Sequence, residues 1–83
     1  MKKTQITTAQ AATLMHMATL KHMATTLKGQ TQDHADQRKT YRDQANQLAQ
    51  DLPATVRVAF MAVTADGPEA LADVLADHAS IID

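Results

Sequence analysis

The four histidines are the residues in this 83-residue sequence best suited to binding a metal. His16 and His22 are six positions apart, which places them on different faces of one helix. No pair has the four-residue spacing of a helical zinc site. His34 and His78 fall on the apolar stripes of other predicted helices, so a metal site would require three stripes to converge. We expect core or boundary histidines and predict no metal ion.

The residues that other kinds of catalysis need are scarce. The chain has no cysteine, and Ser80 is its one serine. Asp73 and Asp77 are four positions apart on the polar face of a predicted helix, whereas acid–base catalysis by paired carboxylates needs unlike environments. The sequence also lacks a glycine-rich turn that would hold a phosphate. We therefore predict a protein that is not an enzyme and uses no cofactor.

Four helix breakers divide the chain. They are its only glycines, Gly29 and Gly67, and its only prolines, Pro53 and Pro68. Glycine favours a helix end and proline a helix start, so the segments between them read as helices. The predicted helices cover about 7–28, 31–52, 53–65 and 68–80. The fold class predicted is all-α: a single domain formed by a small bundle of three to four helices, antiparallel where the connections are short.

The first two predicted helices carry apolar stripes of different width. In the first, helical spacing aligns one set of residues on one face: Ile6, Ala9, Thr13, Met17, Leu20, Ala24 and Leu27. Leu14 and Met15 point away from that stripe. The second helix has a narrow, coiled-coil-like seam containing Tyr41 and Leu48. These observations make Leu14, Met15, Tyr41 and Leu48 the candidate residues for contact with a partner.

The third segment is apolar on nearly all sides. Val56 and Phe60 define one face, and Val58 and Met61 lie on the other, a pattern that predicts burial on both sides. The β-branched run within residues 55–63 also permits a strand. We favour a helix because no other segment offers a partner strand. A strand shared across a dimer is the alternative.

Composition points to association. Only two of the 83 residues are aromatic, much of the 45% hydrophobic content is alanine, and no disulfide can form. Because small domains with weak cores often need a partner, we expect a homodimer that completes the bundle. A second protein partner is also compatible with this composition. No apolar run approaches the length of a membrane span, so we expect a cytoplasmic protein without membrane contact.

Charge is unevenly distributed around a net value of −1. Residues 1–32 hold four lysines and no acid, whereas residues 52–83 hold five acids and one base, Arg57. The two segments either lie side by side or present a basic face to an anionic partner. A nucleic-acid partner is disfavoured because the chain is not basic overall.

Two stretches resemble known families. The segment from Thr7 to Leu14 resembles the opening helix of excisionase-type helix-turn-helix proteins, and residues 52–58 followed by 68–71 resemble their wing and closing helix. The chain has Ala59 to Ala62 where that wing has a turn glycine and basic residues. Leu27-Lys28-Gly29 resembles the bend of the small helical-hairpin proteins of type VII secretion. Neither resemblance contributes a site residue.

The function predicted is a small non-catalytic helical module for protein–protein interaction. An adaptor, an immunity-type protein or a phage or mobile-element accessory protein from a bacterium or phage would fit. The alternative is an excisionase-like helix-turn-helix DNA-binding accessory protein. Its phosphate contacts would come from six basic residues: Lys21, Lys28, Arg38, Lys39, Arg42 and Arg57.

Overall fold

The computed structural model describes residues 3–26 and 32–83, which form four helices and one small sheet. The elements in chain order are β1 (Thr4–Ile6), α1 (Thr8–Thr26), α2 (Gln32–Gln50), α3 (Ala54–Thr64), α4 (Pro68–His78) and β2 (Ala79–Ile81). The mainly helical class agrees with the prediction from sequence. The two strands were not predicted. The predicted helix end at Gly29 lies outside the described residues.

The beginning of α1 is held by a capping box. The Gln10 backbone N–H donates to the Thr7 hydroxyl at 3.0 Å, and the Thr7 N–H donates to the Gln10 side-chain oxygen at 3.0 Å. Each bond satisfies a backbone donor that has no partner in the first turn of a helix. Thr7 is therefore the N-cap of α1.

Gly67 and Pro68 separate α3 from α4 as predicted. Gly67 has φ 99° and ψ 169°, a backbone conformation that is essentially restricted to glycine. Pro68 is the first residue of α4, where a missing N–H costs nothing. The strand alternative for residues 55–63 is wrong, since all of them lie within α3.

The sheet consists of β1 and β2 in parallel, and it corrects the predicted end of the last helix. Thr4 pairs with Ala79 and Ile6 with Ile81, and the Ile82 N–H donates to the Ile6 carbonyl at 3.0 Å. The helix predicted to reach residue 80 therefore ends at His78. Residues 79–81 form a strand because β1 supplies backbone partners for them. The basic and acidic segments of the chain thus lie side by side within one molecule.

The core surrounds α1, which contacts α2, α3 and α4. Its largest fully buried side chains come from β1 and three helices: Phe60, Ile6, Leu14, Met17, Leu71, Val56 and Thr64. Among the described residues of α2, the buried positions are both alanines, Ala45 and Ala49. The second helix therefore adds little volume to the core, as its polar sequence indicates.

None of the four described helices is both long and apolar enough to cross a membrane.

Candidate functional site

The residues predicted to contact a partner are more buried than expected. Leu14 has no exposed surface and belongs to the core. The prediction that it points away from the buried face is wrong, because helices pack on several sides of α1 and bury a broader arc than one stripe. Met15, Tyr41 and Leu48 are half-buried and pack against the same core. Their remaining exposed surface is small and divided between α1 and α2.

The large apolar side chain with the highest exposed fraction among the described residues lies on α3 instead. Val58 is 88% exposed, so the predicted burial of α3 on both sides does not occur within one chain. Phe60 and Val56 are buried in the core and Met61 packs against it, whereas Val58 lies on a side of α3 that is exposed. We call this surface the α3 outer face; its residues, all exposed and three or four positions apart, are Ala54, Val58, Ala62 and Ala65.

The histidines do not form a metal site. His16 and His22 are exposed on α1, His34 is half-buried on α2, and His78 is exposed at the end of α4. Within residues 3–26 and 32–83, no three side chains of the types that bind metals come together around a common point. Ser80 lies in β2, half-buried. The four histidines and Ser80 are therefore spread over α1, α2, α4 and β2.

A polar cleft lies where α1 and α2 meet the end of α3. Its volume is about 320 Å³, and five residues line it: Lys21, Thr25, Arg42, Asn46 and Ala65. At its border, the Lys21 ammonium donates to the Thr64 hydroxyl at 2.6 Å, and that hydroxyl donates to the Met61 carbonyl at 2.6 Å. Partial burial of the ammonium lowers the pKa of Lys21 from 10.5.

The basic residues of the DNA-binding alternative are distributed over three helices. Lys21 lies on α1, three of the residues (Arg38, Lys39 and Arg42) lie on α2, and Arg57 lies on α3, whereas Lys28 lies outside the described residues. The wing implied over residues 52–58 is wrong: Ala54 to Val58 are helical. Of the apolar residues in this stretch, Val56 is buried in the core, and Ala54 and Val58 lie on the exposed α3 outer face.

Two residues of structural importance were not identified from sequence. Thr64 is fully buried and accepts the Lys21 bond, and the Asp83 carboxylate accepts bonds from the Thr8 N–H at 2.8 Å and the Thr8 hydroxyl at 2.9 Å. Both contacts join residues far apart in the chain. No periodic pattern in the sequence marks such pairs.

Comparison of the chain with protein-family models, curated proteins and solved structures gives no significant match.

Proposed function

We propose that the protein is a small non-catalytic helical module that acts through protein–protein contacts and forms a homodimer. One observation carries the proposal: Val58 is 88% exposed in the middle of the α3 outer face. Burying a valine side chain contributes roughly 1.5 kcal/mol or more, so leaving it in water forgoes a sizeable part of a small domain's stability. A partner helix on this face would recover that contribution.

The partner that fits the α3 outer face best is a second copy of the same face. Three of its four residues are alanine, so two such helices can approach closely around a pair of valines. None of the four is charged, which removes like-charge repulsion when the surface meets itself. A twofold dimer is the commonest closed arrangement for identical chains, and we place the two α3 helices antiparallel across its axis.

The thin contribution of α2 to the core supports the same proposal. The buried residues among those described in α2 are alanines, so this polar helix contributes little apolar volume to the core of one chain. We place the four helices in one antiparallel bundle that dimerisation completes. Within that assembly the exposed polar face of α2 remains available to another protein, as an adaptor, immunity-type or mobile-element accessory protein would require.

Sedimentation velocity over a range of protein concentrations tests the dimer. We expect the wild-type chain to change from monomer to dimer with rising concentration. Val58→Lys should weaken the dimer by roughly tenfold or more, because a lysine pair would meet at the twofold axis. The variant should keep the helical circular dichroism of the wild type, since residue 58 is outside the core of one chain.

Ala72→Lys is the matched control, since it introduces the same side chain at an exposed helical position of α4. It should leave the association constant unchanged. A wild-type chain that stays monomeric at the highest concentration, or equal weakening by both substitutions, would overturn the proposal.

A further inference from the structure

The lining of the cleft between α1, α2 and the end of α3 is cationic without a compensating acid. Lys21 and Arg42 carry its charge, and Thr25, Asn46 and Ala65 are neutral. None of the described residues lining it is acidic. Asp66, which follows Ala65, lines a different cleft with His22 and Glu69. The lining therefore presents two positive charges to one small volume.

Lys21 has free N–H donors that an anion in the cleft could accept from. Its ammonium has three N–H donors, and the described contact with Thr64 uses one of them. The Thr64 hydroxyl is fixed as an acceptor toward Lys21, because its own hydrogen is donated to the Met61 carbonyl. Burial without a neighbouring carboxylate disfavours the charged amine, as the lowered pKa of Lys21 indicates. An anion in the cleft would compensate that cost.

Arg42 and Asn46 add hydrogen-bond donors for an oxyanion from the α2 side of the cleft. They are four residues apart on α2 and so share one face of the helix, as Lys21 and Thr25 do on α1. A guanidinium offers a planar pair of N–H donors that matches two oxygens of an oxyanion. The side-chain amide of Asn46 supplies a neutral donor beside it. The two helices thus bring three kinds of donor to one cleft.

The end of α3 opposes an anion only weakly. A helix carries roughly half a negative charge at its carboxyl end, and Ala65 is the C-cap of α3. Backbone N–H groups of the following turn already bond its last carbonyls: Ala65 to Ala62 and Asp66 to Val63. The two full positive charges of Lys21 and Arg42 therefore outweigh the helix end.

From this arrangement we propose that the cleft binds the phosphate group of a small molecule, either free phosphate or a small phosphate ester. The volume of about 320 Å³ exceeds that of a phosphate ion and lies at the small end of ligand pockets. A doubly charged, tetrahedral oxyanion can accept from Lys21 and Arg42 and still has an oxygen left for Asn46, whereas a carboxylate brings one charge and two oxygens to the same donors. The donors Lys21, Arg42 and Asn46 lie outside the α3 outer face, so the site can be tested separately from self-association, and Ala65 belongs to both surfaces.

Titration of the isotope-labelled full chain with inorganic phosphate, followed by NMR amide shifts, tests the site. The ionic strength is held constant with chloride. We expect saturable shifts concentrated at residues 21, 25, 42, 46 and 65. Glycerol phosphate and acetate are titrated in parallel. Binding of the ester as well as the free ion identifies the phosphate group as the ligand, and equal binding of acetate would overturn the phosphate assignment.

Arg42→Gln and Lys39→Gln form a matched pair of variants. Both remove one positive charge from an exposed position of α2, but only residue 42 lines the cleft. Arg42→Gln should weaken phosphate binding by roughly tenfold, and Lys39→Gln should leave it unchanged. Equal weakening by both, or shifts that spread over all basic residues without saturation, would show adventitious screening and overturn the site.

A duplex DNA titration separates this site from a nucleic-acid surface. Phosphate binding at the cleft predicts weak DNA binding with no preference for Arg42 over Lys39. Tight, strongly salt-dependent DNA binding that both variants reduce would assign these residues to a DNA-binding face instead and overturn the small-molecule proposal.

Discussion

Thr64 is the one buried polar side chain among the residues that the structure describes. It is fully satisfied, because its hydroxyl accepts from Lys21 and donates to the Met61 carbonyl. A buried hydroxyl without a partner is costly, so the two bonds explain why a threonine is tolerated in an apolar core. The contact also ties α1 to the end of α3 at the border of the cationic cleft.

We expect Thr64→Val to lower the free energy of unfolding by about 1 kcal/mol, because Lys21 then loses a partner while the side-chain volume is kept. Urea denaturation measures the change. Lys21→Met should cost less in the Thr64→Val background than in the wild type, since the two residues act as a pair.

Thr19→Val is the control for the loss of a threonine hydroxyl. That hydroxyl is exposed and bonds the Met15 carbonyl of its own helix at 2.9 Å. The control should change stability by no more than about 0.5 kcal/mol. Strictly additive effects of the Lys21 and Thr64 substitutions would contradict the pairing.

At the scale of elements, the junction of α3 and α4 depends on one backbone conformation. Gly67 has φ 99°, and a Cβ added there would lie 3.7 Å from Nδ1 of His22, an ordinary contact distance. The space around Gly67 therefore accepts a side chain, and the backbone angle does not. The direction of α4 relative to α3 is set at this residue.

Gly67→Ala should lower the free energy of unfolding by roughly 1–3 kcal/mol, because alanine rarely adopts this region of φ and ψ. Thermal unfolding followed by circular dichroism measures the loss. Adding His22→Ala should give no rescue, since the cost comes from the backbone and not from crowding. Asp66→Ala in the same turn is the control, and a loss there equal to that of Gly67→Ala would contradict this explanation.

For the molecule as a whole, contacts between its basic and acidic segments join the two ends of the fold. β1 and β2 pair in parallel, and the Asp83 carboxylate bonds both the backbone and the hydroxyl of Thr8 at the start of α1. A carboxylate is stabilised near the positive end of a helix. These hydrogen bonds, with the Thr8 backbone bond first, hold the pKa of Asp83 below its ordinary value of 3.8.

The lowered pKa of Asp83 predicts a pH-dependent contribution to stability. A carboxyl group whose pKa falls on folding contributes fully above its unfolded pKa of 3.8, and the contribution disappears as pH falls through the lower folded value. Asp83→Asn keeps the shape and removes the charge. The melting-temperature difference between wild type and Asp83→Asn should therefore be constant near neutral pH and shrink below pH 3.8.

Asp77→Asn serves as the control, because Asp77 is an exposed acid on the outward side of α4. Its difference from the wild type should be smaller near neutral pH. A wild-type advantage over Asp83→Asn that persists unchanged to the lowest pH would contradict the proposed role of the carboxylate.

Local features determined what the sequence alone could predict. Gly67 and Pro68 mark a helix junction by their own backbone restrictions, and the seam of α2 follows from spacing along one helix. Such features depend on neighbours within one or two turns. For that reason the helical class and the polar, thinly packed character of α2 could be predicted from composition and periodicity.

Long-range contacts determined the features that the sequence did not predict, namely the strand pairing and which helix faces are buried. The pairing of β1 with β2 and the Asp83–Thr8 bonds join residues about 75 positions apart, and the Lys21–Thr64 contact spans 43. Burial of Leu14 and exposure of Val58 likewise depend on where three helices pack around α1. Periodicity identifies the faces of a helix but not which of them a distant segment covers. Only the tertiary structure could therefore place the α3 outer face and the cationic cleft.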